Sequence, residues 1–201
     1  YKETSRDRQN AVQKLLLVDE SKQRIALIQR WTGEKVESIA RSRKDLDYVY
    51  FVGKLSDAKQ VRPLLDYYFA KNIPMLASST LNDTPPERSI NFNDIERILF
   101  TEIPAIAQKD NALQALSTDR DSNILHRLHA LGADAYLLAN RYPLFAQLKS
   151  THLSANTGII TMDKEGIFHK RPQIMTYRKG YLVNAVSTQF FHKKETQNTQ
   201  E

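Results

Sequence analysis

The 201-residue chain contains no cysteine, which excludes disulfides, thiolate metal sites and a cysteine nucleophile while leaving the compartment open. Glycine is scarce: six well-separated residues, forming neither GxGxxG nor GxxxxGK[ST], so the glycine-built phosphate cradles are missing. No HExxH or GxSxG element is present. No apolar run approaches the roughly 20 residues needed to cross a bilayer. The chain opens YKETSRDRQNAV, without an initiator Met, a secretory signal or a lipobox cysteine. It is expected to be a fragment or mature piece whose targeting sequence lies upstream.

What remains is ordinary for a soluble globular protein, at 41% hydrophobic and 26% charged residues. Its length suffices for one large domain or two small ones. A net charge of +6 and a pI near 9.4 could serve a polyanion, an acidic protein partner, or merely a solvated surface. The basic clusters are small, RSRK at 41–44 and HKR at 169–171, and no aromatics interleave them as a stacking platform requires. Nucleic acid is therefore not an expected partner.

Periodicity organises the chain. Ala11, Val12, Leu15 and Leu16 share a helical face. A second helix is expected from a Ser21 cap, through Ile25, Ile28 and Trp31, to a stop at Gly33. KVESIARSRKD reads as a short helix. YVYFVG is a β-rich run, and Ser56 can cap a helix whose stripe is Ala58, Val61, Leu64, Leu65, Tyr68 and Phe69. Pro63 inside it predicts a kink or a split. NIPMLASS supplies the next strand, so this strand–helix–strand is expected to make a right-handed parallel crossover. A further strand is expected near Ile98–Thr101, and then a helix with Ile124, Leu128, Leu131, Ala135 and Leu138 as its apolar stripe. Gly132 within that helix costs about 1 kcal/mol relative to alanine, which close packing would explain. The C-terminal part alternates short strands with turns at Lys164-Glu165-Gly166 and Lys179-Gly180. The tail, residues 188–201, is polar and expected to be disordered. The fold class is α/β, a parallel sheet flanked by helices with C-terminal antiparallel strands.

Candidate chemistry is sparse. His126 and His129, three apart, could share a metal, yet further ligands are lacking and exposed helix histidines are the simpler expectation. Asp83 and Glu87 are expected on a solvated loop, and Tyr67 and Tyr68 mainly in the core. Ligands of open α/β sheets bind beyond the carboxyl ends of the strands. Those ends carry Gly53, Lys54, Ser78, Ser79, Thr80 and Asn82, the ligand-cleft candidates, although hydroxyl residues also simply terminate strands. No catalytic residue, metal or cofactor is expected. The alternatives are a non-catalytic protein-binding scaffold, a lobe for a small polar solute such as an amino acid or muropeptide, and, less favoured, a small nucleotide-binding enzyme.

DYVYFVGKLSDAKQVRPLLDYYFAKNIPMLASS resembles the second-lobe βαβ unit of type I periplasmic-binding-protein folds, and NILHRLHALGADAYLLANRY and NTGIITMDKEGIFHKRPQIMTYRKGYLV resemble their late helix and closing strands. Within that superfamily the chain resembles the LppC/LpoA family of lipoprotein activators of penicillin-binding proteins. AVQKLLLVDESKQRIALIQRWTG before the first strand, AKQVRPLLDYYFAKNIPMLASS with its Pro63, and LHALGADAYLLANR carry the likeness. ILFTEIPAIA departs from the family's Asp-x-Pro-Trp segment, with Glu102 for the acid and Ala105 for the tryptophan. The resemblance implies a non-catalytic protein on the periplasmic side of the outer membrane, reaching the membrane only through a lipid on an upstream cysteine. It further implies a class A penicillin-binding protein as partner, stimulation of peptidoglycan cross-linking, and peptidoglycan itself as a further partner. Residues 1–187 would be mostly the second lobe, with return segments, of a two-lobed domain. No partner-binding residue can be carried over.

Overall fold

The computed structural model describes residues 5–35, 38–83, 95–108, 122–148 and 151–186; the tail at 188–201 and Glu87 lie outside them. Two helices, α1 (Ser5–Leu15) and α2 (Val18–Thr32), open the chain. They meet at Leu17, whose left-handed backbone (φ 52°) sets the corner. The second helix therefore begins at Val18, and Ser21 lies inside it rather than capping it. Instead Ser21 Oγ accepts the Arg41 N–H at 3.2 Å. Gly33 ends α2 as expected, at φ 71°. The short helix expected next is absent from residues 38–47. That segment is tied down instead by hydrogen bonds back to the α1–α2 corner and to α2, including Arg43 N–H to the Leu16 carbonyl at 3.0 Å.

The expected strand–helix–strand forms, with its strands parallel. β1 (Val49–Phe51), α3 (Leu55–Tyr67) and β2 (Met75–Ala77) are followed by β3 (Ile98–Glu102). The three strands are parallel, with Val49 beside Met75 and Met75 beside Ile98. Lys54, not Ser56, occupies the N-cap position of α3. The helix continues through Pro63, whose exposed position lets water replace the helical donor that Lys59's carbonyl loses. Ala58, Leu65 and Tyr68 are buried as expected, whereas Phe69 turns outward in a left-handed conformation. Tyr68 is in the core, and Tyr67 packs edge-on against it from the surface. Buried Arg62 binds the Lys71 and Ile73 carbonyls at 2.9 and 3.2 Å, closing the loop into β2. On the other side of α3, Val12 and Leu16 are buried, but Ala11 and Leu15 face solvent.

After β3 come the short α4 (Pro104–Ala107), the long α5 (Asn123–Gln147), and β4 (His152–Ala155), β5 (Gly158–Met162), β6 (Phe168–Arg171), β7 (Gln173–Arg178) and β8 (Tyr181–Asn184). β7 pairs antiparallel with β3, and β8 with β7, giving the order β1-β2-β3-β7-β8; β4-β5-β6 form a separate antiparallel sheet. Both expected turns are present. In the β7–β8 turn, Lys179 and Gly180 have positive φ, as a type I′ hairpin requires. Gly158 (φ 137°) is a close approach, since a Cβ there would sit 2.3 Å from the Arg171 carbonyl oxygen.

Helix α5 reverses the expectation. Its apolar stripe faces out, with Ile124, Leu128 and Leu131 about half exposed at 48, 56 and 53%. Its buried side carries Asn123, Ala130, Asp134 and Phe145. Gly132 is exposed and a Cβ there would touch nothing within 4 Å, so close packing does not account for it. Gly132→Ala is expected to raise stability by about 1 kcal/mol in urea denaturation. A loss of stability instead would mean that something packs on this face in solution.

Candidate functional site

Parallel pairing aligns the carboxyl ends of β1, β2 and β3 at one edge of the sheet. There the chain assembles a buried polar network from residues distant in sequence. Glu102 ends β3 with its carboxylate fully buried. Arg127 of α5 grips it with two bonds, Nε to Oε1 at 3.1 Å and Nη2 to Oε2 at 2.7 Å. The same guanidinium binds Asp83 and the Ser79 carbonyl, the latter at 2.8 Å. Glu102 also accepts Asn82 Nδ2 at 2.8 Å and the Ile103 N–H at 2.9 Å. Asn82 in turn receives the Tyr177 hydroxyl from β7 on its side chain and Asn123 Nδ2 on its backbone carbonyl. Asp83 thus belongs to an ion pair rather than to a solvated loop.

Electrostatics follow from burial and charge. Burial pulls the Arg127 pKa down, but the hydrogen bonds and charges of Glu102 and Asp83 outweigh it, and the net shift is upward. One cation thus serves both carboxylates within the fold. Burial raises the Tyr177 phenol well above its ordinary value near 10; the negative Glu102 adds to this and Arg127 opposes it. The stability that the neutral phenol contributes is fully present below the unfolded pKa and is lost as pH rises toward the folded one. Tyr177→Phe is expected to cost about 1 kcal/mol near neutrality. The gap between it and wild type should narrow above about pH 10 in urea titrations. A gap independent of pH would show that Tyr177 does not titrate on unfolding.

The cleft candidates separate into three situations. Gly53, Ser78 and Thr80 come together: the two hydroxyls lie 2.6 Å apart, and Thr80 Oγ1 donates a long bond of 3.5 Å to the Gly53 carbonyl. Lys54 is exposed beside them at the start of α3. Ser79 lines a groove of about 280 Å³ with Arg127, Thr101, Leu128 and Lys170, whereas Asn82 is buried beneath it. His126 and His129 hold no metal cluster with other residues, none being found among the described residues. No described helix is long and apolar enough to cross a membrane.

Arg127, Asn123 and Asp134 were not singled out from the sequence. Their signal was three polar residues, at 123, 127 and 134, sharing one helical face of α5. Asp134 serves a second junction. It accepts Asn156 N–H and Nδ2 at 3.0 and 2.8 Å, and Thr157 N–H and Oγ1 both at 2.7 Å, so it clamps the β4–β5 turn to α5. A larger open groove, about 580 Å³, lies beside that clamp between α5 and the small sheet.

Comparison with known proteins agrees with this architecture. The chain is 27% identical over 170 residues to the penicillin-binding protein activator LpoA of Vibrio antiquarius, covering 82% of this chain and 28% of that protein. It is likewise 27% identical over 171 residues to LpoA of Vibrio vulnificus, with the same coverage. It thus spans little more than a quarter of the length of these relatives. Among solved structures, the C-domain of LpoA from Haemophilus influenzae, described as a regulator of PBP1A, superposes with a TM-score of 0.61 at 22% identity. That match covers 79% of this chain and 48% of the C-domain. The parallel core with antiparallel additions is therefore the fold of the matched half of that domain. Residues 1–180 match the family described as "LppC putative lipoprotein", and the chain belongs to the LppC family.

Proposed function

We propose that this chain is mostly the second lobe of a non-catalytic periplasmic activator that binds a class A penicillin-binding protein and stimulates peptidoglycan cross-linking. The single observation that carries this is the similarity, over 82% of the chain, to relatives named as penicillin-binding protein activators. Because the chain spans 28% of them, the activity of the whole protein is extended to it by analogy. The site supports a scaffold. A cleft that grips an amino acid needs a cation and a carboxylate free to meet the ligand's charges, whereas Arg127, Glu102 and Asp83 are committed to one another. The protein would stand on the periplasmic side of the outer membrane, held by a lipid on an upstream cysteine, with peptidoglycan as a further partner and no role for nucleic acid.

Activation would follow from binding one conformation of the synthase better than another. A differential affinity of about 1.4 kcal/mol gives a tenfold shift in population. The test is a surface-binding titration of the chain against a purified class A penicillin-binding protein ectodomain, followed by a cross-linking rate assay. Binding that weakens as salt rises is expected of a basic surface on an acidic one. No binding by a chain shown to be folded would remove this lobe from the interface. The solute-binding alternative draws on the exposed Ser78–Thr80 hydroxyl pair beside Gly53. Saturable micromolar binding of amino acids or muropeptides in calorimetry would favour it.

A further inference from the structure

We propose that one face of α2 is a docking surface for an acidic, groove-bearing protein, with Trp31 as its anchor; identifying that protein with the synthase rests on the function proposed above. The helix has two distinct faces. Val18 is buried, and Ser21, Ile25 and Gln29, three, seven and eleven residues further on, are half-buried against the body. The other face runs Arg24, Leu27, Ile28, Trp31, spaced i, i+3, i+4, i+7. Here Leu27 and Ile28 are each 46% exposed and Trp31 76%.

A single exposed leucine is unremarkable in a folded protein. Three large apolar side chains on one turn-spaced stripe, ending in the chain's only tryptophan, match the anchor pattern of a helix that lies in a partner's groove. Tryptophan and arginine are also the residues most enriched at interface hot spots. The charges specify the partner's rim. Arg24 and Arg30 within the helix, and Lys35 just beyond it, have no anionic partner among the described residues. The acids nearby are Glu20, Glu34 and Asp19, of which Asp19 already faces Lys22 at 3.4 Å. Cations thus flank the apolar stripe in a protein of net charge +6. The complementary surface is an apolar groove with carboxylates at its edges.

An anionic bilayer would present the same two attractions, but it suits the helix less well. Interfacial helices have a strongly basic polar face, whereas the polar residues beside this stripe on α2 mix Lys22 and Arg30 with Asp19 and Glu20. Because Trp31 is the sole tryptophan, incorporation of fluorotryptophan into the full chain gives one fluorine resonance that reports on this face alone.

The experiment adds unlabelled class A synthase ectodomain to the labelled chain, and in parallel adds vesicles containing phosphatidylglycerol. Affinity is measured for wild type, Trp31→Ala and Arg24→Glu/Arg30→Glu, each checked for folding by circular dichroism. The expected result is a shifted resonance with the synthase and not with vesicles. Trp31→Ala should weaken binding about tenfold or more, and the charge reversal should flatten the salt dependence. If wild type binds but the resonance stays unchanged and the variants bind equally well, the docking face is overturned while the proposed function stands. If folded wild type fails to bind, the docking face is overturned and this lobe is removed from the interface. A shift with vesicles alone would make the face a lipid-binding one and overturn the protein partner. Should Trp31→Ala misfold, the resonance of the wild-type chain still decides.

Discussion

Glu102→Ala is expected to destabilise the fold by about 3–5 kcal/mol, the usual effect of removing one partner from a buried ion pair. The carboxylate is fully buried, and Arg127, its partner, has only 18% of its side chain exposed. Alanine would leave Arg127 without both Glu102 bonds, and strand Asn82 Nδ2 and the Ile103 N–H without acceptors. Unpaired buried donors cost about 1–3 kcal/mol each, and Asp83 with the Ser79 carbonyl can hold only part of the guanidinium. For a domain with a stability of roughly 5–15 kcal/mol, such a loss approaches global unfolding. Replacing both residues, Glu102→Met with Arg127→Met, should recover part of it, because the net contribution of a buried pair over apolar residues is small. A double-mutant cycle in urea denaturation measures the coupling. An additive cycle, with the double variant as unstable as the sum of the singles, would show that the pair does not act as a unit.

How far the sequence revealed this depended on the kind of residue involved. The crossover from Val49 to Ala77 was legible because short apolar strands were bounded by Gly53 and by Asn72 with Pro74, and no competing pattern overlaid them. The turns at Gly166 and Lys179-Gly180 were legible for the same local reason. Helix α5 was legible as a helix but not in its orientation. Hydrophobic periodicity marks which residues share a face, and the inference that this face turns inward holds only when polar residues have nowhere inside to bond. Here Asn123, Arg127 and Asp134 each have buried partners, so the polar face goes in. Those partners lie 22 to 48 residues away, from Asn156 for Asp134 to Ser79 for Arg127, and no local pattern encodes them. Corners failed similarly. Ser21 and Ser56 are good capping residues, yet the helices start at a left-handed Leu17 and after Lys54, where sheet and helix packing set the chain direction.

The second large effect is expected at Asp134, where one carboxylate carries the junction between α5 and the small sheet. Each oxygen takes one backbone N–H and one side-chain donor, Asn156 on Oδ1 and Thr157 on Oδ2. The same turn also gives the Asn156 carbonyl to Ala105 N–H of α4 at 3.0 Å, so releasing it loosens two contacts together. Asp134→Ala removes the acceptor for the part-buried Asn156 N–H and the buried Thr157 N–H and is expected to cost about 3–4 kcal/mol, at the rate for hydrogen bonds to a charged group. Asp134→Asn keeps the shape but presents an NH2 group to one set of donors, so it should lose roughly half as much. The loss should be local first. Amides of the β4–β5 hairpin would exchange faster while those of β1, β2 and β3 keep their protection, because among the described residues the small sheet and the main sheet share no strand pairing and can open as separate units. Hydrogen exchange on the folded variants measures this. Uniformly faster exchange across both sheets would mean that the hairpin and the parallel core unfold as one, and that Asp134 stabilises the whole fold rather than a hinge within it.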